Sequence, residues 1–405
     1  MRMGLALGWG VPALGVAASL LWLGQLIAII RNRKARHWLA DVADTAPELG
    51  WPSLTVIFAA RDEAAGVELA TRSILAQDYP AMEVVAVDDR STDATGEILD
   101  ALGAEDRRLR VVHVRELAPG WLGKTHALHA AAAAATSTWL LFTDADVVFA
   151  PGALRRAVVC AEGVGADHLT VVPEFVAEGV GERLFLVMFS LVFAIRVLGG
   201  RVEAPDGRTH LGVGAFNLVR ARAFRGIGGF DHLRLSVDDD NRLAQALKVA
   251  GYRGRAVLGA GAVSVRWQVG LVGLIRGLEK NFFAFLDFRL WLVALVCIAW
   301  LALGLAPFAG LFLGPWWTRA ACAVGIAALA AMLALTRHQT GIAWYYALAF
   351  PLTIALMLVA LIRSTWLTLR RGGVRWRGGF YPLSDLRKHT RLRNAWLRES
   401  RRPAR

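Results

Sequence analysis

The stretch WLLFTDADVVF, residues 139–149, decides how the chain is read. Its apolar run from Trp139 to Thr143 has the length and the aromatic and β-branched content of a fully buried strand, and it then delivers two carboxylates, Asp144 and Asp146. Burying two like charges is costly unless something positive compensates them. Two carboxylates in Asp-x-Asp spacing at a strand end can share a hard divalent cation, Mg2+ or Mn2+, which also takes oxygens from a diphosphate and offsets the charge that develops as that diphosphate leaves. A turn or a helix cap is the plainer use of the same spacing. The neighbouring segments decide between the two.

Upstream, LTVIFA predicts a strand from Leu54 to Ala59 that ends in the polar cluster Arg61, Asp62 and Glu63. A helical pattern through Val67 to Leu75 follows, then a second strand, Val84 to Val87, that ends in Asp88 and Asp89. Such alternation announces βαβ units. In open α/β sheets ligands bind at the carboxyl ends of strands, so these acids point to one edge. Ser91 or Asp93 can cap the next helix, but capping does not explain two adjacent aspartates. Gly120, Gly123 and Lys124 then precede a strong helix former, Ala127 to Ala135. A Gly-Lys pair at a helix start offers backbone N–H groups and a cation to a phosphate, with a plain surface lysine as the alternative.

Downstream, Asp238, Asp239 and Asp240 stand in one run. Mutual repulsion should raise the pKa of at least one of them, as a base working near neutrality requires, whereas helix N-capping accounts for one Asp more easily than three. The glycines of HLGVGAFNLV allow close backbone approach.

Composition adds a membrane. Of 405 residues, 56% are hydrophobic and the formal net charge is +13. Residues 4 to 30 carry no Lys, Arg, Asp or Glu and run straight into Arg31, Arg33, Lys34 and Arg36. That exceeds the ~20 residues a span needs, and the basic cluster places its carboxyl side in the cytoplasm. A cleaved signal peptide has a shorter apolar core and a small-residue cleavage site. Further spans are expected near 290–313, 317–335 and 342–362. From Arg363 to Arg405 thirteen Lys or Arg face two acids, so this tail carries +11 of the total. Following a span and interleaved with Trp366, Trp376, Phe380, Tyr381 and Trp396, it is expected to lie on anionic headgroups rather than on nucleic acid. One span in and three out would leave the tail outside, against the positive-inside rule. A re-entrant or in-plane segment around Pro307, Gly310 and Gly314 would resolve this. The apolar stretch Leu184 to Ile195 is expected either as an in-plane helix seating the acceptor half on the membrane or as a buried core helix. Three scattered cysteines give no disulfide framework or zinc site.

The segments TVIFAARDEA, VVAVDDRSTDAT, GWLGKTHAL, LLFTDADVVF and VDDDNRLAQALKVAGYR, in that order over about residues 50 to 290, resemble the inverting family 2 glycosyltransferases and the related ceramide-glucosyltransferase group. The hydrophobic ends resemble membrane-bound members that glycosylate lipids, including the hopanoid-associated type. The resemblance implies a nucleotide-binding βαβ half joined to an acceptor half. It implies that Asp88 and Asp89 meet the nucleotide base and ribose, with Arg61, Glu63 and Lys124 on the same nucleotide side, and that Asp144 and Asp146 hold the metal and diphosphate. The segment HLGVGAFNLV resembles the family's acceptor-side segment, which implies that Phe216 or Asn217 borders the acceptor, and the family's Glu-Asp base motif maps to Asp239 and Asp240. Asp240 is then the base, with Asp239 the fallback because Asp replaces Glu at 239. Related enzymes carry Gln/Arg-x-x-Arg-Trp near Arg266 and Trp267, which would clamp the diphosphate and stack on the acceptor. Val263 stands at the leading position here, a departure that weakens any case for a processive polymer synthase. Arg375-Trp376 fits the interfacial tail.

The sequence therefore predicts an α/β chain of the GT-A type: a nucleotide-sugar-binding mixed sheet flanked by helices, with N- and C-terminal transmembrane helices. The expected parts are an anchor (1–36), a cytoplasmic catalytic domain (50–285), C-terminal spans (290–362) and the basic tail (363–405). The expected activity is metal-assisted, inverting transfer of one sugar from a nucleotide-diphosphate donor, UDP-linked, to a lipid hydroxyl at the inner membrane. A processive polysaccharide synthase and a non-catalytic nucleotide-binding membrane protein are the rivals.

Overall fold

A computed structural model describes residues 2–32, 38–47, 50–204 and 209–400, with side chains from residue 10 onward. The basic cluster Arg33, Lys34 and Arg36 lies outside the described residues. The chain opens with helix α1 (Arg2–Arg31). Regular alternation then sets in with β1 (Leu54–Ala60), α2 (Val67–Leu75), β2 (Met82–Asp89), α3 (Thr95–Glu105), β3 (Leu109–Val114), α4 (Gly123–Ala134) and β4 (Trp139–Asp144). Next come β5 (Val147–Phe149), α5 (Ala153–Gly163), β6 (His168–Val172), β7 (Glu174–Phe175) and α6 (Val180–Phe193). They are followed by β8 (Asn217–Arg220), α7 (Ala221–Gly226), α8 (Asp239–Val249), β9 (Gly254–Leu258) and β10 (Val263–Val265). The last part is largely helical: α9 (Gly270–Gly277), α10 (Phe282–Phe285), α11 (Leu290–Gly310), α12 (Trp316–Thr340), α13 (Phe350–Arg371), the hairpin strands β11 (Gly373–Trp376) and β12 (Gly379–Pro382), and α14 (Leu383–Glu399).

Two compact units divide the chain. One comprises Arg36–Phe175, Arg201–Trp267 and Arg375–Arg405, so the C-terminal segment belongs with the α/β part. Its seven-stranded sheet has the order β3-β2-β1-β4-β8-β6-β9. From β1 the chain steps outward through β2 to β3, then returns across β1 to β4 on its other side. β1 therefore pairs in parallel with both β2 and β4, while β8 runs antiparallel to β4 and β6. The reversal of direction beside β1 is a topological switch point, the place where open sheets part to admit a ligand.

Strand periodicity explains the layering. Alternate residues of a strand face opposite sides, and Val56, Phe58, Trp139 and Leu141 enter one core while Ile57, Leu140 and Phe142 enter the other. The first core is roofed by α2, α3 and α5 through Val67, Ile74, Leu99, Leu102, Leu154 and Val158. The second takes Ala127, Leu128 and Ala131 from α4, Leu243 and Leu247 from α8, and Leu397 from α14. With helices on both faces the strands read as unbroken apolar runs, as they do around Trp139.

The other unit comprises Met1–Ala35, Val176–Gly200 and Gln268–Val374. Among its described residues, four helical segments are long and apolar enough to cross a membrane, Gly10–Arg31, Leu290–Gly310, Trp316–Thr340 and Trp344–Arg371, with mean hydropathies of 2.1, 2.4, 1.8 and 2.2. Small residues let their backbones approach: a Cβ on Gly15 would sit 2.7 Å from the carbonyl of Ala306, and one on Gly325 2.3 Å from Ser19 Oγ. Helix α11 continues through Pro307 as one unbroken helix to Gly310 rather than turning back there. Helix α6 is buried along most of its length, and Thr353 donates a hydrogen bond to the carbonyl of Leu184 at 2.8 Å. Of the two expectations for Leu184 to Ile195, the buried core helix describes it, because the stretch is apolar all round.

The basic tail has an inner face packed on protein. Helix α14 turns Leu386, Thr390, Arg393 and Leu397 inward, a spacing of i, i+4, i+7 and i+11. Arg387, Lys388, Arg391 and Arg398 face outward. An amphipathic helix with a polar outer face can dock on its own domain as readily as on headgroups, and composition alone does not separate the two.

Candidate functional site

Three strand ends meet at one edge of the sheet. The register pairs Ala60 with Asp88 and Ala59 with Asp144, so β1, β2 and β4 end close together at the same edge, with Asp89 and Asp144 turned toward α4 and Asp88 toward α3. The loops after β1 and β2 are laced together. Asp62 Oδ1 accepts from the Thr92 amide at 2.7 Å, Ser91 Oγ from the Asp62 amide at 3.1 Å, Thr95 Oγ1 from the Glu63 amide at 2.8 Å, and Asp93 Oδ2 from the Ala64 amide at 3.1 Å. Ser91 thus serves the neighbouring loop, while Asp93 serves both, its Oδ1 also accepting the amide of Thr95 at the start of α3 at 3.0 Å. Asp62 and Arg90 both hold positive φ, at 54° and 57°, a conformation that non-glycine residues keep where surrounding bonds enforce it.

Asp88 and Asp89 are buried and occupied. Asp88 lies 2.9 Å from His113 Nδ1 and accepts the Ser91 amide at 3.2 Å. Burial works to raise its pKa, but the Ser91 and His113 hydrogen bonds outweigh it and hold the carboxyl below its ordinary value. Asp89 receives both arms of Arg90, at 2.7 and 2.9 Å. A Cβ on Gly123 would fall 2.2 Å from Asp89 Oδ2, so only glycine lets α4 begin against this carboxylate.

Lys124, on the first turn of α4, is the positive group the opening stretch demands. Its Nζ sits 2.6 Å from Asp144 Oδ1 and 3.6 Å from Asp239 Oδ2. Burial alone would lower its pKa, yet Asp144, Asp239 and Asp240 together hold the ammonium protonated well above the ordinary lysine range. The start of α4 is tied to the loop before α8: the Leu122 amide and Thr125 Oγ1 both donate to the Arg234 carbonyl, at 2.9 and 2.7 Å, and the Arg234 guanidinium stacks over Trp121 at 4.8 Å.

The run Asp238–Asp240 divides into three environments. Asp238 forms a buried ion pair with Arg242, 2.7 Å away and one turn along the helix. Asp239 is buried beside Lys124. Asp240 has its pKa pushed up to about 7, first by burial and then by the charge of Asp239. Its Oδ1 accepts the Asn241 amide at 2.7 Å. Two glycines from the preceding segment close over these acids: a Cβ on Gly214 would sit 2.3 Å from Asp144 Oδ2, and one on Gly212 2.0 Å from the Asp240 carbonyl. A small pocket lies among Lys124, Thr143, Gly214, Asn217, Asp239 and Asp240.

Asp146, on the turn between β4 and β5, is half-buried, and its pKa is pushed up to about 7 by burial, then by Asp144 and Glu63. The charge of Lys124 offsets this only in part. The antiparallel register pairs Val265 with Val147, and continued by one residue it sets Arg266 opposite Asp146. Trp267 rests on Phe175, with ring centroids 6.0 Å apart.

The remaining expected residues sit elsewhere. Phe216 is fully buried in the core against Phe149, so it offers no face to an acceptor. Asn217 is buried as well. Its Oδ1 lies 3.0 Å from His168 Nε2 and its Nδ2 donates to the Val213 carbonyl at 2.9 Å, which makes it a support beneath the pocket. Burial keeps His168 neutral, with a pKa lowered to about 4. Sequence reading missed Arg90, His113 and Arg242, whose meaning is only as partners of acids brought in by the fold.

Comparison with known proteins fits this geometry. Residues 55–224 match the model of the family described as Glycosyl transferase family 2. The succinoglycan biosynthesis protein ExoO of Rhizobium meliloti is 36% identical over 126 residues, 30% of this chain and 34% of that protein. A beta-monoglucosyldiacylglycerol synthase of Synechocystis sp. is 34% identical over 152 residues, 37% of this chain and 30% of that protein. The chain thus spans about a third of the length of these curated relatives. Among solved structures, the mannosyltransferase PcManGT from Pyrobaculum calidifontis, in complex with GDP-Man and Mn2+, superposes with a TM-score of 0.57 at 22% identity, covering 88% of this chain and 99% of that one. At that identity the likeness speaks for the fold, which is of the GT-A type.

Proposed function

We infer that the chain, which carries a glycosyltransferase family 2 domain over residues 55–224, moves one sugar with inversion from a nucleoside-diphosphate sugar to the hydroxyl of a membrane lipid. The observation that carries this reading is Lys124, whose ammonium joins the acid at the end of β4 to the acidic run on α8. Donor-side and base-side carboxylates then stand within reach of one bound substrate. The four long apolar helices and the resemblance to a protein named as a glucosyldiacylglycerol synthase support a lipid acceptor. A catalytic unit facing the cytoplasm at the inner membrane agrees with the basic residues after the first span.

Each group has a task. In this reading Asp88 and Asp89 serve the nucleoside, with Arg61 and Glu63 at the adjoining loop, and Arg266 and Lys124 serve the diphosphate. Asp240 takes the proton of the acceptor hydroxyl as its oxygen attacks the anomeric carbon; the anomeric C–O bond breaks on the opposite face and its electron pair leaves with the diphosphate. A carboxyl with a pKa near 7 is a stronger base than an ordinary aspartate and is still ionised in useful amount. Trp267 is available to stack on the acceptor.

Asp144 and Asp146 suit a divalent cation. Both are oxygen donors at a half-buried edge, and burial with the charges of Asp144 and Glu63 outweighs the effect of Lys124 on Asp146. Among the described residues no group of three or more His, Cys, Asp or Glu is placed to hold an ion, so diphosphate and water would complete the shell. When bound, Mg2+ or Mn2+ would offset the charge on the departing diphosphate.

The test is transfer from a panel of labelled UDP- and GDP-sugars to membrane lipid extract by the purified full chain. We expect single-sugar lipid products with wild type, and none with Asp240→Asn although that variant still binds the nucleotide. Transfer undiminished in Asp240→Asn would remove the base assignment. Long polymer in place of a single-sugar lipid would move the chain to the processive class.

A further inference from the structure

The two-residue turn between β11 and β12 is Arg377-Gly378, with φ of 49° and 74°. Positive φ at both central positions makes this a type I′ hairpin turn, where Asn-Gly or Gly-Gly fits and a long β-carbon-bearing cation at the first position is a strained choice. The guanidinium explains the choice. Arg377 Nη1 donates to the carbonyl of Arg61, and Nη2 donates to Glu63 Oε1. Both acceptors belong to the loop that leaves β1 at the switch point, and Glu63 is close enough for its charge to act on Asp146. Arg61 lies directly against the turn, its Nη2 only 3.3 Å from where a Cβ on Gly378 would stand.

An ion pair as exposed as Arg377 with Glu63 adds little to folding stability. Stability therefore does not account for holding an arginine in a left-handed turn. The same segment also braces the other side of the site. Trp396 stacks on His232 with centroids 4.3 Å apart and planes 13° from parallel, and the buried Arg393 brings Nη1 to 3.5 Å from Ser236 Oγ, just ahead of Asp238.

We propose that Arg377 is a positioning residue of the donor site, pinning the Arg61–Glu63 loop in the shape that receives a nucleoside diphosphate, so that donor binding depends on the segment following the last apolar helix. The proposal rests on the donor-site reading above. Preorganising a loop raises affinity by removing the cost of ordering it at the moment of binding.

The experiment uses the full chain in detergent or nanodiscs, titrated calorimetrically with UDP and with GDP in the presence of Mn2+. Arg377→Asn suits the turn better than arginine, so thermal stability should hold or rise. The Kd for the bound nucleotide should nevertheless increase about tenfold, with kcat at saturating donor changed far less. Glu63→Gln should weaken binding by less, since the bond to the Arg61 carbonyl remains, and the double variant should bind no more weakly than Arg377→Asn, since the ion pair is shared. Arg377→Lys, which keeps the charge, should recover part of the affinity. A Kd within twofold of wild type in Arg377→Asn, or strictly additive effects in the double variant, overturns the proposal alone. A wild-type protein that binds neither nucleotide overturns the donor-site reading and this inference with it.

Discussion

Lys124 Nζ lies 2.6 Å from Asp144 Oδ1, closer than a neutral contact would bring them, and the pair is flanked by a second acid, Asp239. The ammonium neutralises carboxylates contributed by segments nearly a hundred residues apart in sequence. Removing it leaves like charges facing one another across the site. Lys124→Met is expected to lower kcat/KM by about a hundredfold, the scale of losing one preorganised charge at a developing anion. Steady-state kinetics read this, and raising Mn2+ should restore part of it, because an added cation takes over some of the compensation. Unaltered kinetics would mean that Lys124 is a structural ion only.

The three adjacent aspartates of α8 should respond differently to one substitution. Asp238→Asn strands the buried guanidinium of Arg242, and breaking a buried pair costs about 3–5 kcal/mol. Its effect should appear as a loss of thermal stability. Asp240→Asn removes repulsion and leaves stability intact or improved, while transfer falls by about 100- to 10,000-fold, the contribution of a positioned general base. Melting temperature and turnover measured on both variants separate a structural acid from a reacting one.

Much of this was legible in the residues themselves. The helix Val67–Leu75 has the bounds its periodicity predicts, and strands β1, β2 and β4 begin or end within two residues of expectation. The strands are buried on both faces, so their apolar runs are unambiguous. Partnership was not legible. That Lys124 faces Asp144, that Asp238 is spent on Arg242, and that Phe216 turns into the core depend on which segments the sheet order makes neighbours. The docking of α14 escaped for a related reason, since its basic outer face and apolar inner face are equally the pattern of a helix on headgroups.

The glycines of the segment before β8 give a steric prediction. Gly212 leaves 2.0 Å between a would-be Cβ and the backbone carbonyl of Asp240, and backbone cannot rotate away as a side chain can. Gly212→Ala should therefore displace Asp240 and cut kcat by about a hundredfold with little change in nucleotide affinity, as a misplacement of about 1 Å at a reacting group does. Gly214→Ala meets the carboxylate of Asp144 instead, 2.3 Å away, and should raise the Mn2+ concentration needed for half-maximal activity. Equal losses of both kinds in both variants would indicate general unfolding of the segment.

His113 supplies a pH dependence whose sign is fixed by its partners. Its ring lies 2.9 Å from both Asp88 and Asp100, and their hydrogen bonds raise its pKa above the ordinary 6.5. A raised folded-state pKa contributes stability that is complete below 6.5 and fades as the pH climbs through the higher folded value. Asp88, depressed below 3.8 by Ser91 and His113 against the effect of burial, contributes stability above 3.8 that disappears as the pH falls through its folded value. The pair is thus most stabilising between about pH 4 and 6.5, where both groups are charged in the folded and unfolded chains alike. His113→Gln should lower the melting temperature most in that window, and the gap from wild type should narrow steadily toward pH 9. A gap independent of pH would show that the ring acts by packing and hydrogen bonding in its neutral form.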